Sequence, residues 1–159
     1  MVLEARDVMV REVITVSPET TLAELEDLLT SQRITGVPVV RDGKLVGIVS
    51  RSDIVRYFSL KRALGTILSK KNEDARLGEL DHLRVEEFMA HDPITVAPNT
   101  PLEEIARTMV RKRVHRVVVT EGDRIVGLLS SLDVVRLVAE GKLAVAEARG
   151  RGNPEDVES

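Results

Sequence analysis

The chain has 159 residues, of which 43% are apolar and 31% charged, and its net charge is −3. That balance fits a folded protein of one domain or two small halves, and it excludes a global basic field for nucleic acid. Aromatics make up 2%, which argues against base-stacking platforms, and cysteine is absent, which removes disulfides, thiolate nucleophiles and cysteine metal sites.

Val2 to Val10 forms a lead-in. Ile14-Thr15-Val16 is β-branched throughout and predicts a short strand that Ser17-Pro18-Glu19 ends. Thr21-Leu22-Ala23-Glu24 reads as a capping box, and Leu22, Leu25, Leu28 and Leu29 follow at helical spacing. A strand over Val37-Pro38-Val39-Val40 turns at Asp42-Gly43, a strong hairpin signal, into a return strand from Leu45 to Val49. Because this return strand is apolar on both faces, it is expected inside a sheet. Ser50 starts the next helix, with Asp53 in its first turn.

The pattern then recurs. Between Ile14 and Arg56, 16 of 43 residues are identical to the residue 80 positions later. Val46-Gly47-Ile48-Val49-Ser50-Arg51-Ser52-Asp53 becomes Val126-Gly127-Leu128-Leu129-Ser130-Ser131-Leu132-Asp133, and Met9 is echoed by Met89. A constant ungapped offset marks a duplication, so function belongs to two half-modules together. In the second copy Thr100 is expected to cap, Pro101 to open the helix and Glu103 to close the box. The return strand there is Ile125 to Leu129.

The expected organisation is repeat 1 over 1–56, a connector over 57–84, repeat 2 over 85–140 and an extension over 141–159. The connector begins as a helix carrying Phe58, Leu60, Leu64, Ile67 and Leu68, and turns polar at Lys70-Lys71-Asn72-Glu73-Asp74. A short Ala-rich helix is expected after Gly141, and Arg149 to Ser159 reads as disordered. Each unit is strand, helix, strand, strand, helix, and about 50 residues alone would bury too little surface to be stable. Two units packed sheet to sheet would share one core. The fold class is therefore α/β (α+β).

Two loci carry chemistry. Ser-x-x-Asp explains itself as a helix cap, yet a carboxylate at an open helix N-terminus also suits the paired hydroxyls of a ribose. His115-Arg116 replaces Thr35-Gly36 at the same offset, so the architecture does not require it. It reads either as a solvated cationic loop after Arg111-Lys112-Arg113 or as a phosphate anchor in the inter-repeat cleft. His82 and His91 are expected at the surface. No HExxH, Gly-rich phosphate loop or Ser/His/Asp set is present, which favours a binding module over an enzyme.

These residues resemble a known family. The repeated unit, with ITV before the first helix, GVPVV and VGIVSRSD, is similar to a tandem pair of cystathionine-β-synthase (CBS) domains, a Bateman module. The resemblance covers about Val8 to Val138. It implies two repeats packed through their sheets about a pseudo-twofold axis, with two equivalent clefts that take AMP, ADP or ATP, or in some members S-adenosylmethionine or NAD. It also implies a homodimer and an effector protein. It places Asp53, with Ser50, Ser52 and Ile48, in one cleft, where Pro93 and Ile94 of the other repeat line the adenine pocket. RKRVHRVVV resembles the segment of the γ subunit of AMP-activated protein kinase that touches phosphate, which assigns His115 and Arg116 to this cleft. The second cleft takes Asp133, Ser130 and Leu128 with Val13, Ile14, Thr35 and Gly36. It lacks the His-Arg anchor, and Leu132 replaces Ser52, so unequal sites are expected, the Asp53 cleft being the tighter for AMP.

No metal or cofactor is expected. No apolar run approaches a membrane span and the N-terminus has no apolar signal segment, so a cytoplasmic location is expected. A nucleic-acid-associated regulator using Arg111-Lys112-Arg113 is the alternative of a different class, and the acidic net charge counts against it.

Overall fold

The computed structural model describes residues 2–63 and 80–143. Residues 64–79 of the connector, among them Leu64, Ile67, Leu68 and Lys70 to Asp74, lie outside these residues, as do the Ala-rich segment after Leu143 and the tail. The elements are α1 (Ala5–Val8), α2 (Leu22–Ser31), β1 (Gly36–Arg41), β2 (Lys44–Ser50) and α3 (Arg51–Ala63) in the first half. The second half has a 3-10 turn (Val85–Glu87), β3 (Thr95–Val96), α4 (Leu102–Lys112), β4 (Arg116–Glu121), β5 (Arg124–Ser130) and α5 (Ser131–Ala139). Helix α3 runs without a break across the boundary expected at Arg56–Tyr57.

Each half folds the same way. β1 and β2 form an antiparallel hairpin from Gly36↔Ser50 to Arg41↔Lys44, turned by Asp42 (φ 51°) and Gly43 (φ 74°), the left-handed pair that a tight hairpin needs. β4 and β5 repeat it from Arg116↔Ser130 to Glu121↔Arg124, with a register shift after Val119 where β1 has one after Val39. The first strand lies parallel to the hairpin, as β3 beside β4 and as a single bridge, Val16 to Val39, beside β1. The residues 14–16 thus form less strand than their β-branching predicts.

Two further expectations need correction. The return strands β2 and β5 lie at sheet edges, and the buried strands are β1 and β4. Hairpin order puts the first hairpin strand beside the parallel strand, so the return strand's outer edge is left to the other repeat's lead-in. Thr100 is not the cap of α4 either. Thr21 accepts from the Glu24 N–H while Glu24 accepts from the Thr21 N–H, but the equivalent of Thr21 is Pro101, which is the N-cap and offers no side-chain acceptor. The motif Thr-Pro-x-Glu fits a box one residue too early.

Among the described residues the buried apolar side chains do not form the expected single shared core. Two apolar clusters form, each built from one repeat plus the lead-in of the other. Val85 and Phe88 pack with Leu25, Leu29, Val37 and Val49, and Ala5 and Met9 pack with Ile105, Met109, Val117 and Leu129. Backbone hydrogen bonds hold the exchange. The Leu22 N–H donates to Leu83 O at 2.7 Å and the Val85 N–H to Thr20 O at 2.8 Å. At the equivalent places the Leu102 N–H donates to Leu3 O at 2.8 Å and the Ala5 N–H to Thr100 O at 2.9 Å. Each lead-in also covers the free edge of the other repeat's return strand, Ala90 against Ile48 and Val10 against Leu128. Burying Val85 and Phe88 is worth about 1.5–3 kcal/mol each, so neither repeat is complete alone.

Candidate functional site

The exchange brings each lead-in beside the opposite Ser-x-x-Asp step. β2 ends at Ser50 and α3 begins at Arg51, whose N–H donates to Thr35 O at 3.0 Å. In the second repeat the Ser131 N–H donates to His115 O at 2.9 Å. The start of each helix is thereby tied to the residue pair just before or at its hairpin's first strand, Thr35-Gly36 or His115-Arg116.

Two cavities result. The first, about 230 Å³, brings together Ile48, Ser50, Ser52, Asp53, Pro93, Ile94, His115 and Arg116, with Arg56, Ala90, Asp92, Arg113 and Val114. The second, about 340 Å³, brings together Val13, Ile14, Thr35, Gly36, Leu128, Ser130 and Asp133, with Val10, Glu12, Arg33, Ile34, Leu132, Arg136 and Arg116. Each set of cleft residues named from the sequence lines one cavity, and Arg116 lines both. His82 and His91 are exposed, and no group of residues among those described has the makings of a metal site.

The carboxylates are held as caps and still keep acceptor capacity. Asp53 is 9% exposed, and its Oδ2 accepts from the Ser50 N–H at 2.8 Å and the Ser50 hydroxyl at 2.9 Å. Its Oδ1 accepts from Arg56 Nη1 at 3.1 Å, and the Arg56 side chain is 74% exposed. Asp133 Oδ2 accepts from the Ser130 N–H and hydroxyl, both at 2.7 Å, while Arg136 stands 3.8 Å from Oδ1. In each cleft one carboxylate oxygen is saturated by the cap. The other faces only a solvated arginine, a partner that an incoming hydroxyl displaces at little cost.

Arg116 departs from expectation. It lines both cavities, and its Nη2 donates to the Thr35 hydroxyl. Burial lowers its pKa from the usual guanidinium range, while the charges of Asp53 and Asp133 oppose that shift. The second cleft is therefore not without a cationic anchor. Its charges match those of the first: three guanidiniums (Arg33, Arg116, Arg136) and two carboxylates (Glu12, Asp133), against Arg56, Arg113, Arg116, Asp53 and Asp92. Arg116 reaches the second cleft because Gly36 has no side chain to keep it out. What still distinguishes the first cleft is His115 and Ser52 against Thr35 and Leu132.

Several lining residues were not foreseen. Arg56 and Arg136 are identical at the 80-residue offset and follow each Asp by three, so the signal was present. Arg33 (φ 54°) and Arg113 (φ 55°) end their helices in the left-handed conformation, which costs a non-glycine residue about 1 kcal/mol. The duplication keeps that strain at both cleft rims.

The CBS domain family matches residues 5–60 and 85–140. The chain belongs to this family. An inosine-5'-monophosphate dehydrogenase of Korarchaeum cryptofilum is 34% identical over 134 residues, covering 84% of the chain and 24% of the relative. The uncharacterized protein MJ1232 of Methanocaldococcus jannaschii is 28% identical over 86% of the chain and 40% of its own length. The chain thus spans a quarter to two-fifths of these relatives. Among solved structures, the CBS domain pair of MJ0100 in complex with 5'-methylthioadenosine and S-adenosyl-L-methionine is 25% identical with a TM-score of 0.71, over 90% of the chain and all of that pair. CBSX2 in complex with AMP is 25% identical with a TM-score of 0.67, over 88% of the chain and 98% of its own. The architecture is that of a CBS pair, and no described helix is long and apolar enough to cross a membrane.

Proposed function

We propose that the chain is a regulatory module that binds an adenosine nucleotide, AMP foremost and ADP or ATP by extension, in the Asp53 cleft. The observation that carries this reading is the pairing of Asp53 with Arg116 and His115 in one cavity. The carboxylate has an acceptor open to ribose hydroxyls, the guanidinium and imidazole suit a phosphate, and Pro93 and Ile94 offer an apolar wall to a base. The CBS pairs solved with AMP and with S-adenosylmethionine and methylthioadenosine support the ligand class. The functional unit is repeats 1–56 and 85–140 joined by 57–84, with 141–159 as an extension. Its output passes to a separate effector or through a homodimer in the cytoplasm. Exposed Val55, Leu132, Val135 and Val138 on α3 and α5 favour such a dimer.

The test is calorimetric titration of the full chain with AMP, adenosine and S-adenosylmethionine, before and after Asp53→Ala. AMP should bind more tightly than adenosine, and Asp53→Ala should remove at least one binding step. Equal affinity for AMP and adenosine, or an unchanged titration in Asp53→Ala, refutes the nucleotide assignment. Salt-sensitive retention of DNA that AMP does not displace would favour the nucleic-acid reading instead.

A further inference from the structure

Residues 36 and 116 are equivalent at the 80-residue offset, and they meet. A Cβ on Gly36 would lie 2.9 Å from both Cζ and Nε of Arg116. A side chain at residue 36 would have to push the Arg116 guanidinium aside, and two glycines would leave no guanidinium at this point. The duplication has kept one of each, so a single guanidinium occupies the space on the axis. Its hydrogen bond to Thr35 draws it toward the second cleft, while the backbone of Arg116, paired with Ser130, and the adjoining His115 line the first. Asp53 and Asp133 both act on its charge, which places it electrostatically between the two sites.

We propose that Arg116 is an anion anchor shared by the two clefts, so that a phosphate-bearing ligand in one weakens phosphate binding in the other. The inference rests on the nucleotide reading above. A planar fork aimed at a phosphate in the Asp53 cleft must release Thr35, and one held against Thr35 presents its donors to the Asp133 cleft. The first ligand therefore takes the guanidinium and the second binds without it. A ligand with no phosphate has no claim on Arg116, and its two binding steps are independent. The coupling is reciprocal, as linkage requires.

The test is titration of the full chain with AMP and, in parallel, with adenosine. Asp53→Ala and Asp133→Ala supply the affinity of each cleft with the other closed. In the unaltered chain the second AMP step should be about tenfold weaker than in the variant whose tighter cleft is closed, the loss expected for one charge-assisted contact. Adenosine should show no such gap. Arg116→Ala should abolish the gap, and Thr35→Val, which frees the guanidinium, should tighten AMP at the Asp53 cleft and weaken it at the Asp133 cleft. A second AMP step equal to the single-cleft value overturns the proposal and leaves the nucleotide reading standing. A gap that survives Arg116→Ala also overturns it, because repulsion between phosphates would then be its cause. If neither AMP nor adenosine binds, both readings fall.

Discussion

Gly127→Ala tests the exchange of lead-ins that builds the clefts. A Cβ at Gly127 would lie 2.7 Å from Met9 Cγ and 2.9 Å from Met9 Cβ, and would also meet Met9 Sδ. The thioether end is flexible and turns away cheaply, but Met9 Cβ moves only with its backbone. That backbone is pinned next door, where the Val10 N–H donates to Leu128 O at 2.9 Å and the Leu128 N–H to Val10 O at 3.0 Å. Overpacking of this kind costs about 1–3 kcal/mol, and the stiffer unfolded chain returns about 0.4–1 kcal/mol. A net loss of about 1–2 kcal/mol lowers the melting temperature of a chain this size by about 3–6 °C. Thermal unfolding followed by circular dichroism measures it. Adding Met9→Ala should recover part of the loss, because the shorter side chain vacates the space. An unchanged or raised melting temperature, or strict additivity of the two substitutions, would show that Met9 does not pack on β5.

Gly36→Ala makes a similarly close approach, but to the far end of a flexible arginine. It should shift the melting temperature by less than about 3 °C while displacing Arg116 and weakening AMP at the Asp133 cleft, read by calorimetry on the Asp53→Ala background. Thr21→Ala removes a formed capping box and should cost about 1 kcal/mol in urea unfolding, whereas Thr100→Ala, off the cap, should stay within about 0.5 kcal/mol. The Glu19 carboxyl is held below its ordinary pKa by its own backbone N–H and then by the Arg41 guanidinium at 2.9 Å. Its contribution to stability is present above the unfolded value and is lost as pH falls through the lower folded value. Carboxyl titration by NMR should show that midpoint below the usual Glu range, and Arg41→Ala should raise it.

Much of the molecule was legible because it is said twice. The 80-residue offset located both hairpins and both Ser-x-x-Asp steps, and the resemblance to CBS pairs assigned the lining residues to two clefts. Most of the misses share one cause, which is contact between segments that no local period links. Nothing in Ala5 or Val85 announces that it will fill the other repeat's core. An apolar return strand reads as central until the order of the hairpin in the sheet is known. Pro101 defeated the cap because a sequence motif fixes spacing to one residue only when the side chain has an acceptor to use. Arg116 was assigned to one cleft through the family resemblance of its segment, and only the fold sets it against Gly36 in space.

The exchange also limits how such a module signals. The residues that wall the clefts, Val10 to Ile14 and Ala90 to Ile94, directly continue the segments that staple the repeats together. Swinging the repeats apart would break the paired bonds at Ile48–Ala90 and Val10–Leu128. Four backbone hydrogen bonds at about 0.5–1.5 kcal/mol each make that about 2–6 kcal/mol before any apolar surface is exposed. A ligand would need roughly 30-fold to more than 10⁴-fold preference for the opened state to populate it. A smaller change is far cheaper. Arg56 and Arg136 lie one helical turn beyond their Asp, on exposed faces that also carry Val55 and Val135. A ribose hydroxyl that takes the place of Arg56 at Asp53 Oδ1 releases a cation onto the very surface proposed to dimerise. Such a ligand would alter the proposed dimer face without separating the repeats, and light-scattering mass measurement with and without AMP reads that change directly.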